Sequence, residues 1–469
     1  MRARLVGLTF IALLSACAAG PDYQRPEVTL PERWQSGIAD SATPALTAWW
    51  TSFKSAELEL LIEAALENNR NLKAAASRIA QARAAARIAG ASLLPEVSAL
   101  AIASRYREAG DPASSNKISA AFGADFELDL WGKNRQGHEA ALSRVQGSVY
   151  AQQLVKVTLQ AEVAIAYFQV LSANDRLALA RSMLSNVESL LRLLQIQYRA
   201  GAISPLEIER QQSLAASVRA GIPPVELERQ GALDALAILL GRPPQGFSVP
   251  LAPLASVHLP SIAAGLPSDL LGRRSDIRQA EANLIAANAD INAARAALFP
   301  SIRLAAAAGV GSDVLSSAPT SSNFIYNLAA GLTAPIFDNG RLQGGVEVAQ
   351  ARQDELVQIY QQSILLALRE VEDGLAAMQR LAEQAGHQQQ LIAHSEAALR
   401  MAELRYRNGA VDFATVLDAQ RVLLTGLAAQ EQITLSRYVA AIGLYRALGG
   451  GWEEPQKLST ASPATPSPR

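Results

Sequence analysis

The single cysteine of this chain, Cys17, is the residue whose surroundings point most directly to a chemical reaction. It follows Leu14, Ser15 and Ala16 at the end of a short apolar run in MRARLVGLTFIALLSAC. Lipoprotein signal peptidase requires small residues before such a cysteine, whose thiol then carries a diacylglycerol. The alternative is an ordinary secretory signal with an accidental cysteine. We predict that Cys17 is lipidated, that residues 1–16 are removed, and that the chain has no internal disulfide.

The same N-terminal stretch indicates where the chain is sent. Arg2 and Arg4 precede an apolar run, Val6–Leu14, that is too short to remain as a membrane-spanning helix. Ala18 follows the cysteine, whereas retention in the bacterial inner membrane usually uses Asp there, so the outer membrane is favoured. Elsewhere no stretch approaches 18 consecutive apolar residues, so any crossing of a membrane must use strands.

Other residues that could do chemistry lack the partners that the chemistry needs. His138 opens HEAAL, which has no second histidine for a zinc protease site, and His387 and His394 have no cysteine or acidic pattern around them. The glycine runs at 309–311 and 449–451 do not open a helix after a strand, as a phosphate-binding loop would. We predict no catalytic site, no metal and no cofactor apart from the lipid on Cys17.

Composition favours helices and excludes one class of partner. The 469 residues carry a formal net charge of −1, which gives no electrostatic footprint for nucleic acid. Aromatic residues make up only 5%, while Ala, Leu, Gln, Glu and Arg are abundant, as in long helices packed through small residues.

Long stretches of the chain have no proline and show helical periodicity. They run from 134 to 198 and from 341 to 406, each about 100 Å long if fully helical, and each is followed by a return helix, at 205–240 and 413–448. An earlier helical pattern covers 57–91. Helices this long need partners along their whole length.

The two halves of the chain repeat each other. YRAGAISPLEIERQQ begins at Tyr198 and YRNGAVDFATVLDAQ begins at Tyr406, and Gly201 and Gly409 are 208 positions apart. Each glycine suits the left-handed position that ends a helix, so the repeated stretches are predicted to be helix–turn–helix tips. Only the first return helix contains AGIPPVELERQ, at 220–230, where its prolines must interrupt or kink it.

Four segments alternate with a period of two, at about 96–107, 118–130, 301–311 and 324–336. In the second, Ile118, Phe122 and Phe126 share an apolar face opposite Asp125 and Glu127. A soluble hairpin with one wet face is the ordinary interpretation, but the length and lipid-anchored context suit an outer-membrane barrel. Four strands cannot close a barrel, so several chains must share one; three would supply twelve strands, although the pattern does not fix the number.

These patterns divide the chain into five parts. They are a signal peptide (1–16), a lipid-anchored extended segment (17–56), a first repeat (57–262), a second repeat (263–452) and a disordered tail (453–469). The predicted fold is mainly α with a β portion: long paired helices and four transmembrane strands within a two-fold internal repeat.

Several segments carry a resemblance to a known family. They are CAAGPDYQRP at Cys17, WWTSF at Trp49, ALENNRNLKAAASRIAQARA from Ala65 and the long GLPSDLLGRRSDIRQAEANLIAANADINAARAALFPSIRL from Gly265. From Cys17 to about Trp452 the chain resembles the TolC-like outer membrane factors, and among them the OprM-like lipoprotein branch. Ser275 stands where that branch usually has proline.

The resemblance implies a homotrimer with a twelve-strand barrel in the outer membrane of a Gram-negative bacterium and a helical periplasmic tunnel. Such a tunnel is the exit duct of a tripartite efflux system. A periplasmic adaptor joins it to an inner-membrane transporter of the resistance-nodulation-division type. The duct itself catalyses no reaction. The alternatives are a periplasmic coiled-coil structural lipoprotein and a passive porin.

The resemblance also assigns residues at the tips. Adaptor contact falls on Tyr198, Arg199 and Gly201 in the first turn and on Tyr406, Arg407 and Gly409 in the second. A periplasmic gate falls on Asp418, Glu207 and Thr415, the last standing where some members have a second Asp. The ordinary interpretation is that Glu207 and Asp418 are solvated carboxylates favoured near helix N-termini.

Overall fold

The computed structural model describes residues 20–35, 47–106, 115–312 and 324–452. Cys17, the predicted signal peptide and the predicted tail lie outside these residues. The chain forms two compact units, each of which takes segments from both predicted repeats. Unit 1 comprises residues 1–28, 76–151 and 276–363, and unit 2 comprises residues 29–75, 152–275 and 364–469.

Nine α-helices lie within the described residues. They are α1 (Ala56–Asn68), α2 (Arg70–Ala91), α3 (Lys133–Arg199), α4 (Pro205–Ala220), α5 (Ile222–Leu239), α6 (Leu270–Arg273), α7 (Ser275–Ala296), α8 (Arg341–Arg407) and α9 (Phe413–Ala447). The two proline-free stretches are confirmed as uninterrupted helices of 67 residues each.

The helical pattern predicted over 57–91 is confirmed as two helices, α1 and α2, which are separated at Asn69. This residue has an extended ψ of 130° and caps both of the helices that flank it, α1 and α2. Its Oδ1 accepts a hydrogen bond from Leu72 N–H at 3.0 Å, and its Nδ2 donates to Leu239 O at 2.9 Å. The buried amide therefore starts a new helix and ties it to the end of α5.

The predicted interruption of the first return helix is confirmed at Gly221, between α4 and α5. Pro223 and Pro224 lie in the first turn of α5, where a missing N–H costs nothing, because those amides have no partner within the helix anyway.

The four strands form one antiparallel sheet in the order β1-β2-β3-β4. Their bounds are β1 Glu96–Tyr106, β2 Ser115–Leu128, β3 Ser301–Ser312 and β4 Phe324–Thr333. The fourth was predicted to reach 336 but ends earlier, since Pro335 has no N–H to offer a neighbouring strand. Because β2 pairs with β3, the strands of the two repeats make one continuous sheet.

The register aligns most of the apolar residues of the four strands on one face. Three cross-strand rows show this: Ala99–Phe122–Ala308–Tyr326, Val97–Ala124–Ala306–Leu328 and Phe126–Leu304–Ala330. Phe122, Tyr326 and Leu328 are 69%, 77% and 81% exposed, so the chain itself does not cover this face. An apolar face of this extent must meet lipid or another protein.

Two strands approach each other closely at Gly309 in β3. A Cβ placed there would lie 2.2 Å from the carbonyl oxygen of Ala120 and 2.5 Å from the Cα of Ala121, both in the backbone of β2. Glycine is therefore required at this position. Gly331 in β4 lies on the same face of the sheet, and a Cβ there would meet no atom within 4 Å.

Unit 2 has an aromatic core where helices α1, α3 and α9 meet. Phe53, Phe168 and Tyr438 are buried with ring centroids 5.0–6.2 Å apart, and Trp49 stacks on Tyr445 at 5.4 Å. The rings fix the helices at defined distances, as close-packed cores do.

Helix α3 is the one helix among the described residues that is long and apolar enough to be compared with a membrane-spanning helix. It contains an 18-residue window apolar enough to cross a membrane, although 61% of that window is buried in the protein. The helix supplies Val163, Phe168 and Leu171 to the core of unit 2, and a helix that lines a core needs the same residues as one that meets lipid.

Substituting Gly309→Ala is expected to destabilise the folded protein by about 1–3 kcal/mol, because β2 and β3 must separate to admit the methyl group. Denaturant unfolding, followed by the shift of the folded form on an unheated gel, measures this. Gly331→Ala is the matched control and should change stability by less than about 0.5 kcal/mol. Equal stability of the two variants would contradict the close approach.

Candidate functional site: one sheet face and two helical tips

The second face of the sheet, which we call the polar face, carries a cluster of charged side chains at one end. Glu127 in β2 lies 3.7 Å from Arg303 in β3 and 3.0 Å from Lys133 at the start of α3. Glu96 in β1 lies directly across from Asp125 in β2. Together these five side chains line part of a cavity of about 900 Å³ at the strand ends.

Beyond this charged end, the polar face carries small and mostly neutral residues, together with the exposed apolar side chains of Leu100, Ile102 and Ile325. One cross-strand row is Ser98–Gly123–Ala307–Asn327. Small side chains leave space in front of the sheet, and polar ones tolerate water. The sheet therefore has one face suited to lipid and one suited to an aqueous path, the pattern of an outer-membrane channel.

The two predicted tips in unit 2 have the same backbone geometry. Gly201 and Gly409 have φ of 74° and 69°, in the left-handed region that glycine adopts without strain. At the first tip the amides of Gly201 and Ala202 donate to Tyr198 O and Gln197 O, each at 2.9 Å. At the second tip, the amides of Gly409 and Ala410 make the equivalent bonds, at 2.9 and 2.8 Å. The sequence repeat is therefore a repeat of structure.

The tips pack against one another through an apolar cluster in unit 2. Its buried members are Val187 and Leu194 of α3, Leu214 and Ala215 of α4, Ala402 of α8, and Phe413, Val416 and Leu417 of α9. Because every helix of the two hairpins contributes, neither tip can move without disturbing the other.

The two tip tyrosines differ despite their equivalent positions. Tyr198 is 45% exposed, whereas the ring of Tyr406 packs on Phe413 with centroids 5.3 Å apart and its hydroxyl is buried. Burial, and then the nearby charge of Glu207, raises the pKa of Tyr406. Arg199 and Arg407 are exposed beside the two turns, as adaptor contact would require.

Two of the three predicted gate residues are engaged in local helix capping. Glu207 Oε2 accepts a hydrogen bond from the backbone N–H of Ser204 at 2.8 Å, as part of a capping box at the start of α4. Thr415 donates from its hydroxyl and its backbone N–H to Asp412 Oδ1, at 2.8 and 3.1 Å. These two bonds from Thr415 hold the pKa of Asp412 below its usual range.

Asp418 differs from the other two gate candidates. It lies on the exposed side of α9, one turn after Thr415. Within the part of the chain that the structure describes, its carboxylate takes no hydrogen bond and no ion pair. It is thus the gate candidate with a carboxylate free to face a partner or a pore.

Neither the cap at Asp412 nor the contact of the N-terminal segment around Pro21 with α7 was predicted from the sequence. Pro21 O accepts hydrogen bonds from Asn288 and Asn292 of α7, at 3.2 and 3.4 Å, and Arg25 lies 2.6 Å from Glu281 on the same helix. Tyr23 lies between these contacts, and burial raises its pKa to about 12. The polar and charged residues of GPDYQRP, at 20–26, are the sequence feature from which this contact could have been predicted.

A pair of carboxylates lies where α3 and α9 pack in unit 2. Burial raises the pKa of both Asp175 and Glu431, and the charge of Asp175 raises that of Glu431 further. Asp175 accepts a hydrogen bond from Leu254 N–H at 2.7 Å, so this carboxylate has a structural role in holding the chain at Leu254 against α3. Among the described residues, no group of three or more His, Cys, Asp or Glu side chains could hold a metal ion.

The glycine run at 449–451 is a packing turn. A Cβ on Gly449 would lie 2.7 Å from Arg273 O, and one on Gly451 would lie 1.9 Å from Gln160 Oε1. The run lets the end of α9 lie close to the backbone and side chains of its neighbours in unit 2. The other glycine run, at 309–311, lies within β3.

Comparison with known proteins agrees with this geometry. The outer membrane efflux protein family matches residues 61–242 and 266–450. The chain is 39% identical to the pyoverdine export outer membrane protein OpmQ of Pseudomonas aeruginosa, over 94% of this chain and 95% of the relative. It is 35% identical to the cation efflux system protein CusC of Escherichia coli O157:H7, over 94% and 97%.

A solved structure gives the same result for the fold. The outer-membrane channel OprN superposes with a TM-score of 0.87 at 30% identity, over 93% of this chain and all of that one. These relatives are outer membrane efflux channels, which are not enzymes. The matched segments cover both repeats, the strands and the tips, and so the chain is a member of the outer membrane efflux protein family, a TolC-like channel of the outer membrane.

Proposed function

We propose that this protein is the exit duct of a tripartite efflux system, passing small molecules from an inner-membrane transporter and a periplasmic adaptor to the exterior. The observation that carries the proposal is the four-stranded sheet with one continuous apolar face and two unpaired edges, β1 and β4. A sheet of this kind is complete only when other strands close it.

Closure determines the assembly that we propose, a homotrimer. Two chains would give eight strands, and a barrel of eight has an interior that its own side chains largely fill. Three chains give twelve strands, with β4 of one copy pairing with β1 of the next. The small residues on the polar face then line a lumen wide enough for cargo.

The paired tips are the site that we assign to the adaptor. Three chains would present six similar turns, each with an arginine beside the glycine, Arg199 or Arg407. A ring of adaptor hairpins would contact these turns and connect the duct to a transporter of the resistance-nodulation-division type. The duct itself would use no energy.

The partner transporter, more than the duct, selects which molecules are carried. OpmQ is named for pyoverdine export and CusC for cation efflux, and the two are similarly related to this chain. The polar face combines a charged end with small neutral residues and a few apolar ones, Leu100 and Ile325 among them, which suits passage of varied small molecules. We therefore assign small molecules as a class, drugs and toxic compounds among them.

Lipidation of Cys17 is part of the same proposal. The cysteine lies three residues before Gly20, so it reaches at most about 11 Å from it. Next to Gly20, Pro21 is held on α7, the helix that ends at Ala296 just before β3 begins at Ser301. A lipid on Cys17 would thus enter the membrane beside the strand ends.

Electron microscopy of the full chain extracted from outer membranes in detergent tests the assembly. We expect a threefold, elongated particle with a short barrel at one end and a tapered helical tube at the other, because the open sheet edges must be paired. A monomeric or irregular particle would overturn the duct and favour a structural lipoprotein. A barrel without the tube would favour a passive porin.

Removing the free carboxylate at the tip is expected to open the duct. Asp418→Ala should raise the basal conductance of the purified protein in a planar bilayer several-fold, because threefold symmetry would bring three carboxylates together at a constriction. Asp234→Asn is the control, since this residue bonds Gln230 on α5, away from the tips. Conductance equal to that of the parent protein would remove Asp418 from the gate.

Two substitutions of Glu207 separate its capping role from a gating role. Glu207→Gln keeps an acceptor for Ser204 N–H but removes the charge, whereas Glu207→Ala removes both. If capping is its main role, only the Ala variant loses about 1 kcal/mol of local stability, seen as faster amide exchange at the first tip. If the Gln variant raises conductance as Asp418→Ala does, Glu207 belongs to the gate.

A further inference from the structure

The strand ends of the sheet do not follow its cross-strand rows. One row starts at the first residue of β1 and crosses all four strands: Glu96, Asp125, Ala305, Ala329. It reaches β4 at Ala329, although that strand continues for four more residues, to Thr333. The strand ends are therefore displaced by four residues, relative to the rows, between one edge of the sheet and the other.

A displacement of this kind is what a closed barrel requires. The strands of a barrel tilt by roughly 35–45° against its axis, and the tilt comes from a stagger of the pairing that accumulates around the circuit. With a rise of about 3.4 Å per residue and about 4.8 Å between strands, four residues over four strands give a tilt of about 35°. The sheet of one chain thus already has the stagger of a barrel that is built from repeated copies of it.

Other displacements between copies fail on tilt, on face or on strand length. Zero leaves the strands untilted, and two residues give a tilt of only about 20°. An odd number would put the apolar face of one copy beside the polar face of the next. A displacement of four in the opposite sense would place most of β4 opposite residues that precede Glu96, where β1 begins.

A displacement of six is the remaining alternative. It gives a tilt of about 47°, and it leaves Phe324, the first residue of β4, opposite a position beyond Tyr106, where β1 ends. A displacement of four leaves no such residue over. It brings Phe324–Thr333, the whole of β4, opposite residues 96–105, all of which lie within β1.

We propose that Ala329 of one copy pairs directly with Leu100 of the next, and that this register closes the barrel. Each residue of β4 then has a backbone partner in the adjacent copy, which a strand edge in hydrocarbon needs. The inference rests on the homotrimer proposed above and adds to it the residues that meet between copies.

The side chains that this register brings together are compatible in size and charge. Large residues face small ones in the pairs Leu100–Ala329, Leu328–Ala101 and Tyr326–Ala103. Glu96 already lies opposite Asp125 within the chain, and on its other side it meets Thr333 of the adjacent copy rather than a further carboxylate. Like charges directly opposite each other would weaken a pair of strands.

The register also determines the width of the duct. Twelve strands with a tilt of about 35° enclose a backbone cylinder roughly 23 Å across, whereas a tilt of about 47° would widen it to roughly 27 Å. The choice between a displacement of four and one of six is therefore a choice between two sizes of lumen.

Disulfide formation in the full-length protein, purified in detergent, tests the register. The double variant Leu100→Cys, Ala329→Cys places thiols of adjacent copies directly opposite, with Cα atoms about 4.5–5.5 Å apart, within reach of a disulfide. Within one chain the same two positions are three strand spacings apart, about 14 Å, and cannot be linked. Mild oxidation should therefore convert most chains into a covalent ladder that ends at three chains on a non-reducing gel.

Ser98→Cys or Ile102→Cys, each combined with Ala329→Cys, is the matched control. Each moves the partner by two residues and lengthens the Cα distance to about 7–8 Å, so linkage should fall several-fold. Single-cysteine variants measure any linkage to Cys17, the one native cysteine. Should the first pair not fold, Ile102→Cys with Asn327→Cys is directly opposite in the same register and replaces it.

The outcomes separate the register from the assembly. More linkage in a control than in the predicted pair would overturn the register and leave the trimer standing. A threefold particle in which none of the pairs links would overturn the register as well. A single-chain particle without linkage would overturn the proposed assembly itself.

Discussion

Unpaired backbone groups along the two edges of the sheet are the constraint on which the rest of the structure depends. β1 and β4 are each paired on one side only within the chain. In hydrocarbon an unsatisfied N–H or C=O costs several kcal/mol, so strands of 11 and 10 residues cannot be left with an open edge there. Assembly is therefore a condition for this sheet to exist in a membrane. The closing strands that we propose are those of further copies of the chain.

The internal repeat is how one chain supplies strands and long helices in the right order. In each half a hairpin of strands leads into a helix of 67 residues, and Asp129 or Asp338 caps that helix with two accepted hydrogen bonds. Each long helix ends in a turn on glycine. The halves differ where the first return helix breaks at Gly221, because α5 is separated from α4 there while α9 continues.

At the tips, the three gate candidates differ in whether the chain itself engages them. Glu207 stands three residues after Ser204, which is the spacing of a capping box, and the resemblance to the family separately placed it at a gate. In the structure the carboxylate of Glu207 accepts a hydrogen bond from Ser204 N–H in this cap, and Thr415 donates a hydrogen bond to Asp412. Asp418 has no such local partner among the described residues, so it is the carboxylate with most freedom to act across a pore.

The sequence by itself determined the element types, most bounds to within three residues, the shared apolar face of the strands and the glycine turns at Gly201 and Gly409. These follow from periodicity and from backbone preferences, which act over a few neighbouring residues. Only the tertiary structure decided the break at Asn69, the packing of Tyr406 and the stacking of Trp131 on Phe299. Each depends on groups brought together by folding, such as Asn69 with Leu239 at 2.9 Å, and no local pattern records a contact made only when the chain folds.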